Sequence, residues 1–181
     1  MRRVNVKGTS GSGKSTFAKE LARRLEVPYV ELDALHHGPN WSEPSAEEFR
    51  ARVSAALEAA PDGWVIDGNY GAVRPLVWER ADTVVWLDPP RRTVMRRVLW
   101  RTVRRGVTRE PLWNDNRESL RNLFSRDPSA NIALWAWRNH AKYRDRYAAA
   151  AADPANERLS FVRVASGADA QRLLDSASPL K

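Results

Sequence analysis

A three-layer α/β fold, with a five-stranded, mainly parallel sheet between helical layers, is what this sequence predicts, and three observations predict it. Short apolar, β-rich runs alternate with helical patterns along the whole chain, an order that lays crossover helices on both faces of a parallel sheet. The first strand-to-helix junction is Gly8-Thr9-Ser10-Gly11-Ser12-Gly13-Lys14-Ser15, which fits the phosphate-loop pattern G-x-x-x-x-G-K-[ST] at every fixed position. The 181 residues include no cysteine, so packing alone must hold the core, and a chain of this length can do that as one domain, 1–181.

Each element has its own pattern. Val4-Asn5-Val6 reads as the first strand, and 15–25 as a helix with Phe17, Leu21, Ala22 and Leu25 on one face, stopped by Pro28. The second strand is 29–32, ending at Asp33. A helix over 45–60 turns Phe49, Val53, Ala56 and Leu57 to one side, and 64–66 is the third strand, ending at Asp67-Gly68. The fourth strand, 83–87, is closed by Asp88-Pro89-Pro90, a turn for which Asp88 has a structural role. An arginine-rich helix spans 91–105, with Val94, Met95, Val98, Leu99 and Val103 inward. A long helix at 132–152, a fifth strand at 159–164 and a helix at 168–176 complete the order. Residues 106–129 are polar and broken by Pro111 and Pro128, an insertion where a helical lid belongs, and 33–60 forms the segment for an acceptor. Trp64 and Trp86 are expected in the core, Trp113 in the packing of the lid, and one of Trp135 and Trp137 at the surface.

The loop fixes the chemistry. Glycines let the backbone turn tightly and bring N–H groups to phosphate oxygens, at a helix N-terminus that favours anions. Gly8, Ser10, Gly11, Ser12, Gly13, Lys14, Ser15 and Thr16 are the expected nucleotide-binding residues. Lys14 sets a positive charge on the β/γ-phosphates, and the Ser15 hydroxyl is a ligand for Mg²⁺. Asp67, at a strand end beside the loop, is the second expected Mg²⁺ contact. Phosphoryl transfer also needs cations at the lid. Arg97, Arg101 and Arg105 are spaced i, i+4, i+8 on one helix face, and Arg101 and Arg105, at the lid end, are the expected catalytic pair. Asp33 is the expected base for an acceptor hydroxyl. His36 and His37 could contact the acceptor, but neighbouring side chains on an extended segment point apart and do not make a metal pair.

These residues resemble the adenylate kinase and small-molecule kinase branch of P-loop proteins, and the resemblance covers nearly the whole chain. Gly63-Trp64-Val65-Ile66-Asp67-Gly68 is similar to the third-strand Asp-Gly signature of adenylate kinases. Val84-Val85-Trp86-Leu87-Asp88, followed by a basic helix and an insertion, resembles their entry into the lid, and Val162-Arg163-Val164-Ala165-Ser166-Gly167 resembles the last strand and loop, which in that branch lies near the adenine ring. Leu32-Asp33-Ala34-Leu35-His36-His37 with Asp67-Gly68-Asn69-Tyr70 most resembles a bacterial group named topology modulation proteins. The resemblance implies an ATP-dependent phosphotransferase with Mg²⁺ as cofactor, and it alone favours ATP over GTP.

Two departures point to the acceptor. Adenylate kinases continue Asp-Gly with Phe-Pro-Arg, whereas this chain continues with Asn69-Tyr70-Gly71. The 33–60 segment holds Arg50 and Arg52 against Asp33, Glu43, Glu47, Glu48 and Glu58, an acidic balance poorly suited to a dianionic phosphate. A hydroxylated metabolite is therefore favoured over a nucleoside monophosphate, and Asp33 resembles the acceptor-site aspartate of shikimate- and gluconate-type kinases.

Net charge is +8, with Arg91, Arg92, Arg96, Arg97, Arg101, Arg104, Arg105 and Arg109 in one acid-free stretch. Such a cluster also attracts nucleic acid, so a DNA-associated ATPase is the competing reading, and a non-catalytic nucleotide-binding regulator the third. No DNA-binding motif accompanies the cluster, and nucleic acid is not favoured as a partner. No apolar run reaches the ~20 residues of a membrane span and no signal peptide precedes the loop, so the expectation is a cytoplasmic monomer binding ATP and a small acceptor.

Overall fold

The computed structural model describes residues 1–108, 113–116, 127 and 131–179. Most of the 106–129 lid insertion, and Arg109 with it, lies outside the described residues. Five strands, β1 (Arg3–Gly8), β2 (Tyr29–Glu31), β3 (Trp64–Asp67), β4 (Thr83–Leu87) and β5 (Ser160–Val164), form one sheet in the order β2-β3-β1-β4-β5. Every pairing is parallel, so "mainly parallel" becomes wholly parallel for the described strands. Seven α-helices are described: α1 (Lys14–Leu25), α2 (Leu32–His36), α3 (Ala46–Glu58), α4 (Arg74–Arg80), α5 (Arg91–Thr108), α6 (Ile132–Ala152) and α7 (Gly167–Ser176).

The central strands β3 and β4 are buried on both faces, which is why they read as nearly continuous apolar runs. Val4, Val6, Val65 and Val85 pack on Phe17 and Leu21 of α1 and Leu174 of α7. Residues one step out of phase, Trp64, Ile66, Val84 and Trp86, meet Phe49 and Val53 of α3, Val77 and Trp78 of α4 and Tyr147 of α6. The two-residue period of the strands thus sorts side chains into two cores. Trp64 and Trp86 are buried as expected, and Trp137 is the exposed member of its pair. No helix among the described residues is long and apolar enough to cross a membrane.

Three expectations need correction. The second strand stops at Glu31, and Asp33 lies in the short helix α2 rather than at a strand end. β2 sits at the sheet edge with one neighbour, and fully buried Leu32 packs over Gly68, which fixes the chain where the strand would have continued. Helix α4, over 74–80, was not anticipated; its proline occupies the first turn, where a missing N–H costs nothing. In α5 only Val94 and Val98 are fully buried, against Ala133 and Ala136 of α6, whereas Leu99 and Val103 are 45% and 48% exposed. The helical period was right, but the helix is 18 residues long and reaches past the layer that covers its start.

Candidate active site

The phosphate loop runs from the carboxyl end of the central strand β1 into α1, at the end of the sheet where open α/β folds bind ligands. Gly13 caps α1 in the left-handed region (φ 94°, ψ 14°) without a side-chain cap, and the first turn carries no acid. The amides at this end are thus available to an anion, with the helix dipole behind them. Ser12 N–H donates to Thr9 C=O at 3.0 Å, closing the loop. A Cβ on Gly11 (φ 81°) would collide with Val98 Cγ2 and come within 2.8 Å of Val94 C=O, so only glycine lets α5 approach this closely.

That approach brings arginines to the loop. Arg97 Nη1 donates to Ser12 C=O at 3.0 Å, and Arg101 Nη2 donates to Ser10 Oγ at 2.8 Å. Arg105 is half-buried one turn farther along α5. Of the i, i+4, i+8 trio, the two nearest the start of the helix bond to the loop: Arg101, one of the expected pair, and Arg97, which stood outside that pair.

Beside the loop, Asp67 is 1% exposed, its Oδ1 accepting from Tyr29 Oη at 3.2 Å. Its Oδ2 has no hydrogen-bond partner among the described residues, and neither have Thr9 Oγ1 and Ser12 Oγ in the loop. Burial pushes the Asp67 carboxyl above its ordinary range, opposed by the Lys14 charge and the Ser15 hydroxyl, with Asp33 pushing further up. Lys14, Ser15 and Asp33 thus each lie near enough to Asp67 to act on it. Asn69 brackets the loop's entry: its Nδ2 donates to Gly8 C=O at 2.7 Å, and its Oδ1 accepts from Gly8 N–H and from Tyr147 Oη. Buried Lys7 donates to Gly68 C=O at 2.7 Å, and burial, with Arg74 second, lowers it to about 7.

Across the edge lies a side built from side chains. Tyr70 Oη donates to Asp33 Oδ1 at 2.8 Å and stands 3.3 Å from His37 Nε2. His36 packs on Tyr70 and Phe49, with ring centroids 4.4 and 4.9 Å away. His37 sits against Trp41 and Trp113, at 5.3 and 5.6 Å. Residues at the mouth of the insertion dock here too: Asn114 Nδ2 donates to His37 C=O, Asn116 Nδ2 to Gly38 C=O, and Asn116 Oδ1 accepts from Trp41 N–H. Burial raises the Glu31 carboxyl and Asp67 raises it further, while Lys19 and the Trp113 indole hold it down. His36 and His37 do not point apart: each offers a ring nitrogen to a group completed by Glu43, with the three ligand atoms within 4.8 Å of one another. The chain turns through a helix at this point and leaves it extended at His37 (φ −90°, ψ 106°), so strand alternation does not apply.

Sequence reasoning missed Asn69, Tyr70 and Lys7 as working parts. Asn69 and Tyr70 stood out as departures from Phe-Pro-Arg, and that departure was the available signal. Asp88, read as structural, is 5% exposed and held by Arg144 at 2.9 Å and Arg163 at 2.5 Å.

Comparison with known proteins finds relatives of the same fold. A shikimate kinase from Persephonella marina (strain DSM 14350 / EX-H1) is 29% identical over 139 residues, covering 70% of this chain and 81% of that protein. Among solved structures, the shikimate kinase from Acinetobacter baumannii in complex with shikimate superposes with a TM-score of 0.55 at 17% identity, over 97% of this chain and 89% of that one. A gluconokinase from Sinorhizobium meliloti 1021 gives 0.51 at 20% identity, over 96% and 94%. These likenesses carry the fold. Residues 4–122, which hold the phosphate loop, Asp33, Asp67 and α5, match the family model described as an AAA domain, and the chain belongs to that family.

Proposed function

We propose that this protein is an ATP-dependent small-molecule kinase that phosphorylates a hydroxyl group. The observation that carries the reading is geometric: Asn69 bonds to Gly8 at the entry of the phosphate loop, and its neighbour Tyr70 donates to Asp33 Oδ1 at 2.8 Å, which ties a carboxylate of the 33–60 segment to the mouth of the loop. The named relatives, two shikimate kinases and a gluconokinase, support the same class. The finer resemblance to topology modulation proteins rests on the motifs of α2 and β3 alone.

In this reading the loop amides and Lys14 hold the β/γ-phosphates, and Arg101, supported by Arg97, moves from Ser10 to the transferring group. Arg105 belongs to the same face one turn on. The acceptor oxygen attacks the γ-phosphorus, the bond to the β-phosphate oxygen breaks, and ADP leaves with the electron pair. The hydroxyl proton passes to Asp33, whose orientation is fixed by Tyr70. Mg²⁺ fits at Ser15 and Asp67, because the buried Oδ2 of Asp67 lacks a hydrogen-bond partner among the described residues. When bound it would neutralise charge developing between the β- and γ-phosphates. The acceptor would lie between 33–60 and the insertion at 106–129, in a cytoplasmic monomer. The nucleic-acid ATPase reading is weakened because Arg97 and Arg101 turn inward to the loop instead of outward.

The test is ADP release from Mg-ATP against hydroxylated acids such as shikimate and gluconate, nucleoside monophosphates and DNA, with Lys14→Ala as blank. Stimulation by a hydroxylated acid is the expected result. Stimulation by a monophosphate alone would remove Asp33 as base, and stimulation by DNA alone would replace the kinase reading.

A further inference from the structure

We infer that His36, His37 and Glu43 form a binding site for a borderline divalent transition metal, of which Zn²⁺ is the type. One ring nitrogen from each histidine and one carboxylate oxygen of Glu43 lie within 4.8 Å of one another, so side-chain rotations would bring them to the roughly 3.3 Å mutual spacing that bonds of ~2.0 Å set around a tetrahedral ion. Two imidazoles and a carboxylate suit such metals, whereas Mg²⁺ prefers oxygen donors only. Three protein ligands leave a fourth position for water or a substrate oxygen.

Two further observations point to a ligand. His36 Nδ1 and His37 Nδ1 are both buried without a hydrogen-bond partner among the described residues, and buried polar atoms left bare need an explanation. The turn that carries Glu43 back over the histidines is strained. Asn40 (φ 55°) and Trp41 (φ 58°) both adopt left-handed backbone, which non-glycine residues rarely do and which is found most often at active sites, ligand clamps and switch regions. Gly38 N–H to Ser42 C=O at 2.7 Å closes this turn, and Asn116 holds it from the far side. Neighbouring interactions thus maintain a costly conformation whose effect is to bring a carboxylate to two imidazoles.

The site is separate from the expected Mg²⁺ contacts, Ser15 and Asp67, and it does not depend on which acceptor the enzyme takes. It joins the acceptor segment through His37 and Tyr70, so a bound ion would cross-link α2 to the 37–43 turn beside Asp33.

The experiment uses full-length protein with any affinity tag removed, stripped with a chelator and titrated with Zn²⁺ in the absence of ATP. Calorimetry gives stoichiometry, and tryptophan emission gives a local signal, because the Trp41 and Trp113 rings flank His37. The background is low: the chain has no cysteine, and its third histidine, His140, is buried against Pro89 C=O. One equivalent should bind with a change in emission, and both Glu43→Gln and His36→Gln should weaken binding by on the order of tenfold or more. Glu43 is exposed, so its variant keeps the fold and carries the test if the His36 variant does not fold. Absence of saturable binding, or equal binding by wild type and Glu43→Gln, overturns the proposal. An equal emission response to Mg²⁺ overturns it as well, since that would assign the signal to an oxygen-only site.

Discussion

The two sides of the proposed site are built on different principles. On the nucleotide side, main-chain geometry sets the site: Gly11 and Gly13 hold left-handed backbone, Ser12 bonds back to Thr9, and α5 packs against the turn. On the acceptor side, side chains drawn from four separate segments set it: Asp33, His36 and His37 from α2 and its end, Phe49 from α3, Tyr70 from after β3, and Trp113 from the insertion. A site made of backbone tolerates little change in residue type at fixed spacing and keeps one chemistry. A site made of side chains can change its ligand while the fold stays the same. The difference teaches where to look for specificity in this protein: in the Asp33–Tyr70–His37 group and its aromatic surround.

The largest effect should come from the nucleotide side. Lys14→Ala removes the cation aimed at the phosphates, and turnover should fall on the order of 10³-fold or more, read as steady-state ADP formation. Melting temperature should stay near wild type, since Lys14 is partly exposed and no core contact is lost. A variant with near-normal rate would break the comparison at its firmest point.

Asp33→Asn tests the other side and should be nearly as severe. Loss of a positioned base typically costs ~10²- to 10⁴-fold in kcat. ATP affinity, measured by equilibrium binding, should be unchanged, because Asp33 lies outside the loop. If ATP binding and kcat fall together, the two sides are not separable and Asp33 serves the fold instead of the acceptor.

This division also explains what was legible. The loop was readable because each of its residue types answers a local backbone demand at fixed spacing. Strands β3 and β4 were readable because burial on both faces leaves nearly uninterrupted apolar runs, and 132–152 was readable as α6 to the residue. Tyr70 and Asp33 are 37 residues apart, and no local pattern announces their hydrogen bond. Asp33 was assigned to a strand end because Leu32 looks like one more strand residue, and only its packing on Gly68 turns the chain into α2. Arg97 escaped because a helical face identifies which arginines point the same way, not which turn of the helix meets the loop.

A smaller effect is expected from Gly11→Ala. The added methyl group meets Val98 and the Val94 carbonyl in a backbone conformation unfavourable to alanine, at a cost of about 1–3 kcal/mol. The urea midpoint should fall, and ATP affinity should fall with it, because α5 must move away from the loop. Thr16→Ala, at an exposed position in the first turn of α1, is the control that should leave stability unchanged. Equal stability of the two variants would mean that the loop is not held by the helix above it.

The smallest effect is a slope. Lys7 has an ordinary value of 10.5 and is lowered to about 7 in the fold, chiefly by burial. Between those two values the unfolded chain binds a proton that the folded chain does not, so stability should rise as pH is raised from 7, by up to about 1.4 kcal/mol per pH unit. Below pH 7 the lysine is charged in both states and contributes no slope. Buried Tyr29 and Tyr70 act in the opposite sense: burial raises both hydroxyls, so above ~10 the unfolded chain loses its tyrosine protons first and stability falls. The clean window is therefore pH ~7 to ~9, and the comparison to make is wild type against Lys7→Met across it. Methionine keeps the unbranched shape but cannot donate to Gly68 C=O, a loss that offsets the curve without tilting it. The stability of Lys7→Met relative to wild type should thus be highest near pH 7 and decline steadily toward pH 9, measured as the difference in unfolding free energy. A difference that does not change with pH would mean that Lys7 stays charged beneath the loop, and that the nucleotide side keeps one more fixed cation.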